Sequence, residues 1–183
     1  MSVYTELASH SPDLIAAILA AEDRSFYSHP GFDPTAILRA VWQNLRNQRV
    51  VSGASTISQQ LIRVIRPRPR TLLSKLQELL MALRLEQSVS KNQILEFYLN
   101  AVSMFGNVRG IYLASQVLFG KSPDMLNLGE SATLAAAIQA PGRFDPFTTR
   151  GNTLLRRRRD WVLQQMLKTG KCDKQQYQNA LNT

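Results

Sequence analysis

The sequence predicts an all-α protein, because nearly every segment repeats its apolar residues with the 3.6-residue period of a helix. No stretch shows the sustained alternation of a strand, and no Asn-Gly hairpin turn occurs. A chain of 183 residues can bury a core without disulfides or metals and suits one domain. We therefore expect a single helical domain over residues 1–183.

Helix start signals recur in order along the chain. Each pairs an N-cap residue with proline at the first helical position, or with Gln or Glu three residues later. They are Ser11-Pro12-Asp13, Asp33-Pro34, Ser90 with Gln93, Asn127 with Glu130, and Asp173 with Gln176. Gly120 and Gly170 are typical of helix ends.

The net charge of +9, carried more by arginine than by lysine, favours an anionic partner. In RPRPR, at residues 66–70, the prolines exclude a helix, so we expect residues 64–71 to form a mobile, basic loop between two lobes. Arg156–Arg159 would cover all sides of a helix, and we expect a partly solvated face there. A nucleic-acid-binding module would explain the charge, but no recognition-helix pattern accompanies it, so we expect no nucleic-acid partner.

The apolar runs and the single cysteine bear on whether the chain spans a membrane, is secreted or contains a disulfide. The longest apolar run, LIAAILAA at residues 14–21, is well short of the roughly 20 residues that cross a bilayer. The first residues do not read as a secretion signal. Cys172 is alone, which excludes an intramolecular disulfide. We expect no transmembrane anchor in this chain.

Glu22 is the first candidate for chemistry. If residues 12–26 are helical, one face carries Ile15, Ile18, Leu19, Glu22 and Phe26. A carboxylate on an apolar stripe is desolvated and its pKa is raised, which suits a general base near neutral pH. A salt-bridged surface glutamate near Arg24 and His29 is the alternative, and this stretch alone favours it.

The residues after Glu22 have structural explanations. Asp23 points about a third of a turn away, and we expect it to accept hydrogen bonds from backbone N–H groups or from Arg24. His29 lacks a second His or Cys nearby, so a packed, hydrogen-bonded turn residue is favoured over a metal ligand. The sequence His-Pro-Gly, ending at Gly31, closes the helix and turns the chain.

A second carboxylate, Glu78, lies in a predicted helix over residues 71–87. We expect its core stripe to be Leu72, Leu76, Leu79, Leu80 and Leu83. Glu78 is off this stripe and shares a face with Ser74 and Lys75, which suits an intrahelical ion pair or a polar cleft wall. The ion pair is favoured when Glu78 is considered alone.

Between these carboxylates lies VSGASTISQQLIR, at residues 51–63. Gly53 ends one element, and a cap at Ser55 or Thr56 starts a helix whose first N–H groups could receive phosphate oxygens. Gln59, Gln60 and Arg63 follow within two turns. A plain turn and cap explain the small residues equally well.

Taken together, five segments resemble the peptidoglycan glycosyltransferases, the family 51 transglycosylase domain of class A penicillin-binding proteins and monofunctional relatives. The segments are EDRSFYSHPGFD from Glu22, GASTISQQLIR from Gly53, KLQELLMALRLE from Lys75, ILEFYLNAVSMFG from Ile94, and LGESATLAAAIQAPGRFDP from Leu128. The resemblance covers roughly residues 12–182. It implies a two-lobed, distantly lysozyme-like helical fold on the outer, periplasmic face of the bacterial cytoplasmic membrane.

The resemblance also implies a reaction, the polymerisation of lipid II by inverting transfer. Glu22 matches the family's general base on the acceptor 4-hydroxyl, with undecaprenyl pyrophosphate as the leaving group. Glu78 matches a second glutamate that organises the donor pyrophosphate directly or through a divalent cation such as Mg²⁺ or Mn²⁺. Positions lining the subsites are Arg39, Ser55, Gln59, Gln60, Arg63, Arg70 and Lys75, and structural positions near the site are Asp23, Phe26, His29, Gly31 and Gly53.

The chain departs from the family pattern at a few positions. Ser74 stands where arginine is common and removes a positive charge near Glu78. Arg63 replaces a usual lysine, and Ala54 and Asp145 replace Gly and Asn. A glycan-cleaving enzyme with a glutamate acid, or a domain that binds lipid II without turnover, are the alternatives.

The partners implied are lipid II, the growing glycan strand, the membrane surface, and transpeptidase or division and elongation proteins. We expect no transpeptidase domain within these residues, and the sequence by itself requires no cofactor.

Overall fold

The computed structural model describes residues 3–47, 55–69 and 71–182. Within these ranges it contains nine α-helices and two short 3₁₀ turns, Leu7–Ser9 and Pro123–Met125. The helices are α1 (Pro12–Glu22), α2 (Pro34–Asn47), α3 (Ile57–Ile65), α4 (Leu72–Ser88), α5 (Lys91–Ala101), α6 (Ile111–Phe119), α7 (Leu128–Ile138), α8 (Thr149–Lys168) and α9 (Lys174–Leu181). The described ranges hold no strand, only an isolated bridge between Ser103 and Arg109. The all-α prediction is confirmed.

At the predicted helix starts, the N-cap side chains accept hydrogen bonds from backbone N–H groups of the first turn. Ser11 caps α1 by accepting from the Leu14 N–H, and Thr56, not Ser55, caps α3. Reciprocal capping boxes close at the starts of α5, α7 and α9, at Ser90 with Gln93, Asn127 with Glu130, and Asp173 with Gln176. Gly120 ends α6 in the left-handed region. These start signals depend on residues three apart, which is why the sequence alone predicts them.

The helices pack in two groups around a continuous core. Helix α1 packs on α7 and α8, and α9 packs on both α7 and α8, whereas α3 packs on α4 and α5. The largest wholly buried side chains come from both groups and include Leu14, Ile18, Phe26, Ile57, Leu61, Leu95 and Tyr98. This arrangement agrees with the two lobes that the resemblance implies.

Helix α1 is shorter than the 12–26 helix considered from the sequence. It ends at Glu22, because Asp23 leaves the helical conformation with φ −159° and ψ 83°. Phe26 therefore lies in the following turn, where it is still fully buried. Glu22 consequently sits at the very end of the helix, where the chain turns away.

The core stripe predicted for α4 is wrong. Leu72, Leu73, Leu76 and Leu80 are 91%, 66%, 53% and 48% exposed, whereas Glu78 is only 6% exposed and Ala82 is fully buried. The backbone of Gly31 packs against α4 at Ala82, where a Cβ on the glycine would lie 3.1 Å from the helix backbone. A small side chain and a paired carboxylate therefore face inward. Of the five predicted stripe residues, Leu72, Leu76 and Leu80 face outward and Leu79 and Leu83 are half-buried.

The basic link between α3 and α4 begins later than expected. Val64 and Ile65 continue α3, so the described non-helical link starts at Arg66, while Arg70 lies outside the described residues. The mobility expected of residues 64–71 stays a prediction.

The arginine run on α8 is only half solvated. Arg156 and Arg157 are exposed, but Arg158 is half-buried, with its guanidinium 3.8 Å from the centre of the Trp161 ring. Arg159 is buried and donates to the Leu181 carbonyl at 3.1 Å. Neighbouring elements, which the run itself does not reveal, cover this side of α8.

Among the described helices, none is both long enough and apolar enough to cross a membrane.

Gly151 provides a test of packing at the start of α8. A Cβ there would lie 2.2 Å from the Asp145 carbonyl oxygen, whereas one on exposed Gly142 would meet nothing within 4 Å. We expect Gly151→Ala to lower the free energy of unfolding by about 2 kcal/mol through overpacking, and Gly142→Ala to leave it nearly unchanged. Urea unfolding of both variants measures this, and equal stabilities would contradict the described contact.

Candidate active site

The loop after α1 fixes the position of α3. The Asp23 carboxylate accepts hydrogen bonds from His29 Nε2 and from the Ile57 N–H, each at 3.0 Å. The Thr56 hydroxyl donates to the Gly31 carbonyl at 2.7 Å. All of these residues except Ile57 were singled out in the sequence. Together they hold the first turn of α3 beside the last turn of α1.

His29 and Gly31 give this loop its shape. The Gly31 N–H donates to His29 Nδ1 at 3.1 Å, so Nε2 is the protonated ring nitrogen that donates to Asp23. Gly31 has φ 103°, a backbone conformation that residues other than glycine rarely adopt. The loop therefore closes tightly and brings Phe26 into the core beneath the site.

Glu22 is held at one oxygen and unpaired at the other. Its Oε2 accepts a hydrogen bond from Gln60 Nε2 at 2.9 Å. Its Oε1 is shielded from solvent and has no hydrogen-bond partner. Gln60 is itself held by the Tyr98 hydroxyl, which donates to Gln60 Oε1 at 2.9 Å.

Burial dominates the electrostatic surroundings of Glu22. Burial raises the pKa of Glu22, and the nearby charge of Asp23 raises it further. The hydrogen bond from Gln60 and the positive charge of Arg158 oppose this rise without cancelling it. The net result is a pKa above the ordinary value for glutamate.

Glu78 has the opposite electrostatic environment. Arg63 donates to both of its oxygens, from Nε at 3.0 Å and from Nη2 at 2.8 Å, and Lys75 Nζ lies 3.8 Å away. Burial would raise the pKa of Glu78, but the hydrogen bonds and charges of Arg63 and Lys75 outweigh it and lower the pKa. Glu78 is therefore an anion near neutral pH.

Lys75 extends this cluster toward the start of α3. Its Nζ donates to the Ser55 hydroxyl at 2.5 Å and to Gln59 Oε1 at 3.4 Å. The side chains of Arg63 and Lys75 are each less than half exposed, so both cations border solvent at the same place. The result is a small polar wall with accessible positive charge.

Helix α3 joins the two glutamates. Gln60 contacts Glu22 and Arg63 contacts Glu78, and these two α3 residues are three positions apart on one helix face. The cluster around Glu22 and the cluster around Glu78 therefore lie within one helical turn of each other along α3.

Three predicted site residues cannot be placed. Gly53 and Arg70 lie outside the described residues, and Arg39 belongs to α2 although its side chain is not described. The remaining predicted positions all lie in the two clusters or in the loop that supports them.

Two residues near Glu22 were missed by the sequence analysis. Tyr98 lies on the buried face of α5 with Ile94 and Leu95, and a hydroxyl on such an apolar stripe was an available signal. Arg158 was assigned only to a partly solvated run, but its charge acts on Glu22, and its Nε is buried without a hydrogen-bond partner. No local pattern distinguishes Arg158 from the adjacent arginines.

The side chains around Glu78 do not fit a divalent cation site of their own. Mg²⁺ and Mn²⁺ prefer several oxygen ligands, and both Glu78 oxygens already accept from Arg63. Among the residues that the structure describes, no three acidic, histidine or cysteine side chains gather as a metal site. Arg63 and Lys75 are the positive charges that this cluster provides.

Comparisons with known proteins identify the family. The transglycosylase family matches residues 1–167. The chain is 40% identical over 180 residues to penicillin-binding protein 1A of Aquifex aeolicus (strain VF5), covering 98% of this chain and 24% of that protein. It is 40% identical over 167 residues to penicillin-binding protein 1A of Escherichia coli (strain K12), covering 91% of this chain and 19% of that protein.

A solved structure resembles the fold. The crystal structure of penicillin-binding protein 1A from Haemophilus influenzae matches with a TM-score of 0.60 at 23% identity, over 100% of this chain and 17% of that one. The chain thus spans about a quarter or less of the length of these relatives. The five motifs, the helical fold and the extent of the family match lead to one conclusion: the chain belongs to the transglycosylase family.

Proposed function

We propose that this chain is a peptidoglycan glycosyltransferase that polymerises lipid II with inversion at the donor carbon. The observation that carries this proposal is the state of Glu22. One oxygen is held by Gln60, and the other is sheltered from water and unpaired. An unpaired carboxylate oxygen keeps its capacity to accept a hydrogen bond and then a proton, and binding of the acceptor would have to bring the substrate hydroxyl against it.

In the proposed mechanism, Glu22 Oε1 takes the proton of the 4-hydroxyl on the acceptor's N-acetylglucosamine. The oxygen of that hydroxyl attacks C1 of the donor's N-acetylmuramic acid from the face opposite the leaving group. The bond between C1 and the pyrophosphate oxygen breaks, and undecaprenyl pyrophosphate leaves with the electron pair. The raised pKa of Glu22 supports the proton transfer, because a base is most effective when its pKa is near the working pH.

The Glu78 cluster supplies the charges for the leaving group. Arg63 and Lys75 are fixed by Glu78 and remain partly exposed, so they can contact pyrophosphate oxygens without moving far. Preorganised cations of this kind stabilise charge that develops in the transition state. Ser74 bonds to Thr71 and adds no charge here, so Arg63 and Lys75 carry this task in our proposal.

Glycan cleavage is the nearest competing reaction, since a glutamate with a raised pKa can also act as an acid. The positive charges of Arg63 and Lys75, one turn along α3 from Gln60 and Glu22, favour transfer. A leaving pyrophosphate needs positive charge, and a leaving sugar hydroxyl does not. Polymer growth from lipid II separates this reaction from shortening of preformed glycan.

We also propose that the leucine face of α4, formed by Leu72, Leu76 and Leu80, rests on the membrane surface. These residues recur every four positions on one side of α4, and all are exposed. The basic link with Arg66 and Arg68 directly precedes α4 and suits anionic headgroups. This contact would place the site at the periplasmic face of the cytoplasmic membrane, where lipid II is anchored.

Glu22→Gln tests the proposed base. We expect polymerisation of labelled lipid II to fall by about 100-fold or more, because the amide cannot accept the proton. Glu6→Gln, an exposed glutamate, serves as the matched control and should retain wild-type activity. Polymer on a gel is the readout. A wild type that makes no polymer would indicate a binding domain without turnover, and equal measurable rates for wild type and Glu22→Gln would exclude Glu22 as the base.

Arg158→Gln tests the electrostatics at the base. Glu22 must be ionised to act, so activity is lost as the pH falls through its pKa. Removing the Arg158 charge raises that pKa further, so the acidic limb of the rate profile should move to higher pH. Arg158→Lys should return the acidic limb of the pH–rate profile to its wild-type position, and exposed Arg157→Gln should not move it. A profile for Arg158→Gln that matches wild type would contradict this electrostatic role.

Leu72→Ser, Leu76→Ser and Leu80→Ser in one chain test the membrane contact. We expect sedimentation with anionic phospholipid vesicles to weaken roughly tenfold or more, because three apolar side chains no longer enter the lipid. The thermal midpoint should fall only slightly, because these leucines are exposed and only helix propensity is lost. The control is Val117→Ser with Met125→Ser, two exposed apolar residues outside α4. Equal binding by both variants would exclude the leucine face as the contact.

A further inference from the structure

A buried tyrosine stands behind the amide that contacts Glu22. Tyr98, on α5, is completely buried, and its hydroxyl donates to Gln60 Oε1 at 2.9 Å. The other end of the same amide donates to Glu22 Oε2 at 2.9 Å. Three helices, α5, α3 and α1, are thus connected through one chain of hydrogen bonds that ends at the proposed base.

The direction of each hydrogen bond between Tyr98, Gln60 and Glu22 follows from which groups can donate. Glu22 as a carboxylate can only accept, so the amide nitrogen of Gln60 must face it and the amide oxygen must face Tyr98. That oxygen requires a donor, and Tyr98 remains one because burial, together with the charges of Glu22 and Asp23, raises the pKa of its hydroxyl well above the ordinary value. If the amide turned around, two acceptors would face each other at Glu22.

We propose that Tyr98 is a positioning residue for the glycosyl transfer, acting through Gln60 to hold Glu22 Oε2 and leave Oε1 directed at the acceptor hydroxyl. The inference rests on the proposed function, because it assigns a task only if Glu22 is the base. Nothing in the packing of the core requires the hydroxyl, since a phenylalanine ring would fill nearly the same volume.

The rigidity of the surroundings supports this role. Helix α5 packs on α3, and the first turn of α3 is fixed by Asp23 through the Ile57 N–H. Gln60 lies one turn further along α3, so its side-chain amide is the part that still needs to be oriented. The hydrogen bond from Tyr98 supplies this orientation.

Other charged groups around Glu22 would not change when the hydroxyl is removed. Asp23 follows it on the chain, and Arg158 faces it from α8, with Arg24 acting in turn on Arg158. Because these charges stay in place, a shift in the pKa of Glu22 after loss of the Tyr98 hydroxyl would come through the amide.

Tyr98→Phe in the intact chain, assayed on lipid II across pH, tests the proposal. A weakened hydrogen bond from Gln60 raises the pKa of Glu22, so the acidic limb should move up by about one pH unit. The plateau of kcat should fall about three- to tenfold, because Oε1 is less well directed. KM should stay within about twofold of wild type. The matched control is Tyr27→Phe, which removes an exposed hydroxyl bonded to Asn92 at 3.1 Å and should change neither quantity.

A second variant keeps the test decisive if Tyr98→Phe folds poorly. Gln60→Met removes the same hydrogen bond to Glu22 without changing the tyrosine, and it should move the acidic limb at least as far. Adding Tyr98→Phe to Gln60→Met should have little further effect on the rate, because both act through one amide. Circular dichroism and thermal midpoints confirm that each variant is folded.

The outcomes separate the two proposals. An inactive wild type, or a Glu22→Gln variant as active as wild type, would overturn the proposed function itself. An active wild type with an inactive Glu22→Gln, but with a Tyr98→Phe profile equal to that of Tyr27→Phe, would overturn only the role of Tyr98. Effects of Tyr98→Phe and Gln60→Met that multiply in the double variant would also overturn it.

Discussion

Helix α3 holds two glutamates in opposite electrostatic conditions, and the candidate site depends on this. Gln60 gives Glu22 one neutral hydrogen bond, so burial dominates and the carboxylate becomes more basic. One turn later, Arg63 gives Glu78 two charged hydrogen bonds, which keep it an anion. Neighbouring carboxylates whose environments push their pKa values apart are a recognised route to separate chemical roles. Here the separation comes from the type of side chain that α3 presents at each position.

The position of α3 depends in turn on the loop that ends α1. Asp23 breaks the helix and binds both His29 and the first turn of α3, so Glu22 is left at a helix end where its Oε2 meets Gln60 of α3. Gly31 lets the same loop approach α4 at Ala82. A loop of nine residues, from Asp23 to Gly31, therefore sets the spacing of three helices. Its buried polar groups are largely paired, which favours one arrangement over others.

Helix α4 links the site to the outside of the molecule. Its inner side holds Glu78 and Ala82, and its outer side holds a row of exposed leucines. Exposed leucines are unfavourable in water, and a contiguous apolar face marks a surface that another apolar phase covers. With the leucines on a lipid surface, as we propose, Glu78 and its cations would lie one helix diameter from the membrane. A pyrophosphate anchored in that membrane by its lipid chain would reach them.

The sequence by itself determined the helical class, most helix starts and the motifs that identify the family. These features depend on residues within a few positions of one another, through helical period and capping. The motifs also named Glu22, Gln60, Arg63, Lys75 and Glu78 before their contacts were known. Only the tertiary structure decided which face of α4 is buried, where α1 ends, and that Tyr98 and Arg158 act near Glu22. A helix is buried on the side where its neighbours pack, and a side chain acquires its pKa from groups distant along the chain. The apolar stripe of α5 could have marked Tyr98 as buried, but no local pattern shows which groups it meets there.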